Sequence, residues 1–279
     1  MIKTILVPTD FSSNAKVALN YAIKLAKIET SKIILFHAYH LAYYSGDVTP
    51  ELIPELNLVA EKELDKRLLS LSKKVEKEHG IICEAFMQQG LFVDIIEQVI
   101  KKKKVSLIVM GTKGKTGLEE ILMGSNTTKV IQEVSCPVIA VPEKGKHTAI
   151  KKIVYATDYH SMDVASLEFL IDIAKDSKAH IDVVHFVDEN AAKEKVDHLS
   201  VFEKKMGKRN NFKNISYKLL DGSEIDQTFD KYIKKESINL IGVSTKHKTF
   251  LERVFGKRSV TKKLLKHSNI PLIAFHHKK

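Results

Sequence analysis

The feature that most limits the fold of this chain is an internal repeat. Ile5-Leu6-Val7-Pro8-Thr9-Asp10-Phe11 returns position for position as Ile153-Val154-Tyr155-Ala156-Thr157-Asp158-Tyr159, 148 residues later. Lys32–Tyr39 returns around His180–Phe186, with His37 and His185 at the same offset. Val105–Met110 has its counterpart in Ile238–Val243, and Pro137–Val141 in Pro271–Phe275. A duplication of this extent divides 279 residues into two domains of similar architecture, placed at 1–143 and 149–279. The polar, glycine-containing stretch Glu143–Thr148 reads as the linker between them.

Each unit alternates short apolar runs with longer amphipathic ones. In the first, Ile2–Pro8, Lys32–Tyr39, Ile81–Gln88, Val105–Met110 and Pro137–Val141 read as strands. Helices are expected from Ser12 or Ser13 to about Lys27, over Glu55–His79 with Gly80 as its cap, over Leu91–Lys103, and over Ser125–Val134. Strands alternating with helices specify a parallel, doubly wound α/β sheet, whose ligands sit beyond the carboxyl ends of the strands. Thr9-Asp10, Ala38 and Gly111 should then share one edge of that sheet.

After the fourth strand comes a glycine frame: Gly111, two residues, Gly114, nine residues, then Gly124-Ser125. Glycines that bracket a loop leading into a helix can turn backbone N–H groups toward an anion, and the helix dipole adds to the attraction. The frame reads either as a phosphate cradle or as a flexible strand-to-helix connection. Convergence with Thr9-Asp10 favours the cradle.

Composition narrows the rest. With 44% hydrophobic and 28% charged residues the chain can bury real cores, and no apolar run reaches the ~20 residues of a membrane span. The N-terminal MIKTILVPTD reads as a first strand, not a signal peptide. Cys83 and Cys136 lack CxxC spacing and lie beside apolar residues, so buried thiols in a reducing cytoplasm are expected. The net charge of +11 is dispersed in short groups such as Lys101–Lys104, without interleaved aromatics. That pattern favours solvated helix faces over a nucleic-acid surface. His37 and His185 have no Cys/His cluster beside them and read as core residues, not metal ligands.

Three stretches together, ILVPTDFS at 5–12, the Gly111/Gly114/Gly124-Ser125 frame and CPVIAVP at 136–142, resemble the universal stress protein family, in a tandem two-domain form. The resemblance implies two five-stranded parallel α/β sandwiches of the adenine-nucleotide alpha-hydrolase-like, Rossmann-like kind. It implies ATP, with or without Mg, as ligand. By the same resemblance Asp10 stands near ribose and adenine with Pro8 and Thr9 beside it, and Ala38 and Met110 close the adenine pocket. Gly111 and Gly114 admit the backbone to ribose and phosphate, Lys113 lies where a phosphate could pair with it, and Gly124, Ser125, Asn126 and Thr127 form the second phosphate-contacting turn. Family members often pair through the last strand, so pairing of the two halves within one chain, and a further homodimer of chains, are expected.

The second unit departs from the frame. Ser244 and His247 replace Gly111 and Gly114, and Arg258-Ser259 fall opposite Gly124-Ser125. With side chains where backbone should meet phosphate, the second half is expected to have lost tight ATP binding. Phosphoryl transfer needs metal-binding groups and a positioned base, and no GxxxxGK[ST] or assignable Ser/His/Asp set is present. The sequence therefore points to a nucleotide-sensing regulatory protein, with at most slow ATP hydrolysis, or to an interaction protein with a vestigial site.

Overall fold

The computed structural model describes residues 2–40, 49, 52–112, 124–145, 147–157, 163–187, 192–244 and 269–276. The first half runs β1 (Thr4–Pro8), α1 (Ser13–Glu29), β2 (Lys32–Tyr39), α2 (Ile53–His79), β3 (Cys83–Gln89), α3 (Phe92–Lys103), β4 (Leu107–Gly111), α4 (Ser125–Glu133) and β5 (Val138–Val141). The second runs β6 (Lys152–Ala156), α5 (Asp163–Ser177), β7 (His180–Val187), α6 (Ala192–Arg209), β8 (Ile215–Asp221), α7 (Ile225–Lys235), β9 (Leu240–Ser244) and β10 (Leu272–Phe275).

Local chemistry sets these boundaries. The Ser12 hydroxyl accepts from the Ala15 amide at 3.2 Å and caps α1, while Thr30 closes it in the left-handed region. Gly80, at φ 67°, ends α2 as its backbone freedom allows. Strands β1, β4 and β5 are buried along their whole length, the mark of strands covered on both faces.

The strands lie in the order β3-β2-β1-β4-β5-β10-β9-β6-β7-β8. Each half is a parallel five-stranded sheet. β5 and β10 run antiparallel, with Ile273 opposite Ile139, and join the two into one ten-stranded sheet. One core packs α1, α2, α5 and α6 on one face, around Leu68, Leu167 and Phe202. The other packs α3, α4 and α7 on the opposite face, around Ile96, Val130 and Phe229.

The stretch between the halves is held, not free. Glu143 accepts from the Ser13 hydroxyl (2.6 Å) and the Asn14 amide (3.2 Å), and the Lys24 ammonium donates to the His147 carbonyl (2.8 Å). Gly145, at φ 153°, runs so close to Asn269 that a Cβ there would lie 2.1 Å from the Asn269 carbonyl oxygen. The linker read from the sequence is thus a packed one.

Candidate functional site

In the first half, strand order reverses between β1 and β4, because β1 leads outward to β2 and β3 while β4 and β5 lie on its other side. Such a switch point leaves a crevice at the carboxyl ends of the two strands. A cavity of about 180 Å³ occupies that place. Its walls include Pro8, Thr9 and Asp10 from the end of β1, Ala38 from β2, Met110 and Gly111 from β4, and Gly124, Ser125, Asn126 and Thr127 at the start of α4. The structure thus brings together ten of the twelve residues named from the sequence. Lys113 and Gly114 lie outside the described residues, as does Asp158 in the second half.

The turn after β1 is built from its own side chains. The Thr9 hydroxyl accepts from the Phe11 amide at 3.0 Å, and Asp10 Oδ1 accepts from the Ser12 amide at 3.0 Å. Phe11 takes a left-handed φ of 63° at the bend. From β2, His37 Nδ1 donates to the Thr9 carbonyl at 2.7 Å, which places its proton on Nδ1. His37 is therefore part of the cavity wall and a strut for the turn, beyond the core role expected of it.

Opposite, α4 presents the N-terminus of a nine-residue helix. The first intrahelical bond is donated by Thr128 to the Gly124 carbonyl, so the Ser125, Asn126 and Thr127 amides precede it. No acidic side chain lies in the first turn and no side chain caps Gly124. The helix end therefore offers amide donors and positive dipole to an anion. Two groups named from the sequence are already engaged: the Thr127 hydroxyl donates to the Gly111 carbonyl (2.9 Å), and the Gly124 amide donates to the Thr112 carbonyl (2.6 Å). Both bonds fix the loop's exit against β4.

Gly111 is glycine for a reason the sequence did not show. A Cβ there would lie 2.9 Å from the Asn14 carbonyl oxygen and 3.1 Å from Asn14 Cβ, so α1 can cross the end of β4 only if the side chain is absent. Ala15 and Phe92 also line the cavity and were not singled out. Both fall on helix faces that read as ordinary core positions. Phe92 stacks with Phe36 at 6.1 Å and makes the base of the cavity aromatic.

The second half repeats the scaffold and alters the lining. His185 Nδ1 donates to the Thr157 carbonyl at 2.6 Å, as His37 does to Thr9. At the 148-residue offset, however, Phe186 stands for Ala38 and Asp163 for Ala15. Phe186 is buried against Phe229, with ring centroids 5.8 Å apart. Asp163 is buried too, and its carboxylate accepts from the Tyr155 hydroxyl (2.9 Å) and the Thr157 hydroxyl (2.7 Å). Ser244, opposite Gly111 in the repeat, is buried at the end of β9, and residues 245–268, which hold the rest of the altered frame, lie outside the described residues.

Known proteins agree with this architecture. A sequence profile of the Universal stress protein family matches residues 1–142 and again 149–276. A universal stress protein of Methanocaldococcus jannaschii is 38% identical over 156 residues, covering 52% of this chain and 85% of its own length. A Bacillus subtilis universal stress protein is 31% identical over 148 residues, covering 50% of this chain and 99% of its own. The crystal structure of a universal stress protein from Archaeoglobus fulgidus matches 99% of this chain and 98% of its own, with a TM-score of 0.76 at 18% identity, a likeness of fold. Two matching units in one chain, each a five-stranded parallel α/β sandwich, place this chain in the universal stress protein family, as a tandem member.

Proposed function

We propose that the chain is an ATP-binding regulatory protein of the stress-response type, with its nucleotide site in the first half. The observation that carries this is the chemical polarity of the first cavity. Ala38, Phe92 and Met110 make one end apolar, and the amides of Ser125, Asn126 and Thr127 stand at the other. A planar base suits the first, and phosphates suit the second. Asp10 stands at a strand end, where a carboxylate oxygen can accept from sugar hydroxyls. Asp10 is also the one carboxylate among the described lining residues, which supports binding over phosphoryl transfer.

The asymmetry between the halves supports a single site. Phe186 fills the volume that Ala38 leaves open, and the buried Asp163 carboxylate would repel phosphate oxygens. The second half then serves as the partner of the first, through β5 and β10.

Isothermal titration of nucleotide-free protein with ATP, with and without Mg, tests the reading. One ATP per chain is expected, with binding lost in Asp10→Ala and Gly114→Val. Ala38→Phe is the sharper variant, since it copies the side chain that this scaffold already carries at Phe186. It should fold as the wild type does and lose at least tenfold in affinity. Undetectable ATP binding by the wild type would refute the proposal, and undiminished binding by Ala38→Phe would place the site elsewhere.

A further inference from the structure

A second cavity, of about 540 Å³, lies on the other side of α1, between its first turns and the middle of α2. It exists because α2 packs chiefly on β3 and, through Leu68 and Val75, on the sheet core, and leaves a gap toward α1. The floor is apolar: Ala15 and Leu19 of α1 and Leu71 of α2, with the Phe11 ring beside them. The left-handed φ of 63° at Phe11 turns the chain where that ring enters the groove. The walls are cationic: Lys16 on α1 faces Lys66, Arg67 and Lys74 on α2, against one acid, Glu63.

These cations are poorly compensated. Lys74 reaches Glu78 at 3.8 Å, an exposed pair, and Arg67 stacks on the Phe11 ring at 4.2 Å. Among the described residues, Lys16, Lys66 and Arg67 form no ion pair with a carboxylate. A solvated lysine face needs no apolar floor beneath it. Here a net charge of +3 surrounds apolar surface in a cavity of the size that takes small ligands.

We propose that the groove between α1 and α2 is a second ligand site, for a small organic anion with an apolar body: an aryl or alkyl carboxylate whose headgroup meets Lys16, Lys66 and Arg67 while its body covers Leu19, Leu71 and Phe11. The site stands apart from the nucleotide reading, because among the described residues neither α4 nor Gly111 and Thr112 line it. The two cavities do share Thr9 and Ala15, on opposite sides of the same turn.

The test uses the full chain and 8-anilinonaphthalene-1-sulfonate, an anion with an aromatic body. Its fluorescence should rise saturably, with one site per chain. Decanoate should displace it, and decanol and decyltrimethylammonium should not. Lys66→Glu with Arg67→Glu on one wall, and Lys16→Glu alone on the other, should weaken both ligands, the double variant at least tenfold. Lys204→Glu with Lys205→Glu, exposed on α6, should change affinity less than twofold. Ala38→Phe, which closes the nucleotide cavity, should leave the titration unchanged. Charge-reversed variants that melt as the wild type does and bind the probe equally well would overturn the proposal. So would displacement by decanol at the same midpoint as decanoate, or loss of probe binding in Ala38→Phe.

Discussion

Glu29 sits where the two halves meet on one face of the sheet, and its replacement by glutamine should stabilise the protein increasingly as pH rises from about 4.5 to 7 and by a constant amount above that. The residue is 6% exposed at the end of α1, its Oε2 accepts from the Ile2 amide at 3.5 Å, and Asp176 of α5 lies beside it. Burial, and then repulsion from Asp176, push its carboxyl up to about 7 from an ordinary 4.5. Below about pH 4.5 the group is protonated folded and unfolded, and contributes nothing. Between 4.5 and 7 the unfolded chain ionises while the folded one keeps its proton, so stability falls as pH rises. Above 7 both states are ionised and the penalty is constant. At ~1.4 kcal/mol per tenfold change in proton affinity the full displacement is worth about 3 kcal/mol, which partial solvent screening reduces to about 1–2 kcal/mol. Glutamine keeps the acceptor for Ile2 and offers its amide to the Asp176 carboxylate. Thermal melts of wild type and Glu29→Gln from pH 4.5 to 8 should coincide at the acid end. By pH 8 they should separate by about 2–6 °C in favour of the variant. A separation that does not change with pH, or a variant less stable at pH 8, would show that Glu29 carries no such burden.

Other consequences can be checked in the same preparations. Gly111→Ala should cost about 1–3 kcal/mol in urea unfolding without any nucleotide present, because its Cβ would press on the Asn14 carbonyl of α1; no change would return the glycine to a purely ligand-driven role. Asp182 is fully buried and accepts from Lys218 (2.9 Å) and the Tyr232 hydroxyl (2.8 Å), with Lys152 at 3.3 Å. Asp182→Ala should cost about 2–4 kcal/mol, because Lys218 and the Tyr232 hydroxyl lose their buried acceptor while Lys152 keeps Glu236. Burial alone would raise the Asp182 carboxyl, but the bonds from Lys218 and Tyr232 and the charge of Lys152 hold it below its usual range. Its stabilising contribution is therefore present above about pH 4 and lost as pH falls through the lowered value, so wild type should be more stable than Asp182→Asn above about pH 4 and that advantage should shrink through the acid limb of a pH titration. Burial pushes both thiols, Cys83 and Cys136, up to about 12. An aromatic disulfide reagent at pH 8 should label neither in the native protein and both in guanidinium.

How far the fold could be read from the sequence depends on which contacts set each boundary. β2 needed no correction, because Lys32–Tyr39 is apolar and β-branched up to the Ser31 that precedes it and the strand pairs on both sides. β1 and β4 begin two residues later than their apolar runs. Ile2 and Val105 are buried, yet the ladder starts only at Thr4 and Leu107, and burial alone does not make a strand. Gly80 ended α2 as expected because its left-handed cap is a local matter. The packing of the linker was not legible because its partners, Ser13, Asn14 and Asn269, lie more than a hundred residues away in sequence.

The site divides in the same way. Residues at strand ends were legible, since a doubly wound topology sends all carboxyl ends to one edge. Ala15 and Phe92 were not, since nothing in a helical period distinguishes a side chain that meets the sheet from one that meets a cavity beside it. The duplicated half held the missing signal. At a fixed offset of 148 residues the struts persist, with Thr9 matched by Thr157 and His37 by His185, while Ala38 becomes Phe186 and Ala15 becomes Asp163. The residues that brace the turn, Thr9 and His37, are kept in both copies because both copies build the same turn. A lining residue is released in whichever copy no longer holds a ligand, and there it can fill with an aromatic ring or close with a buried carboxylate. The comparison of one half with the other thus separates the residues that build the cavity from those that would meet its occupant, and it assigns Ala15 and Ala38 to the second group.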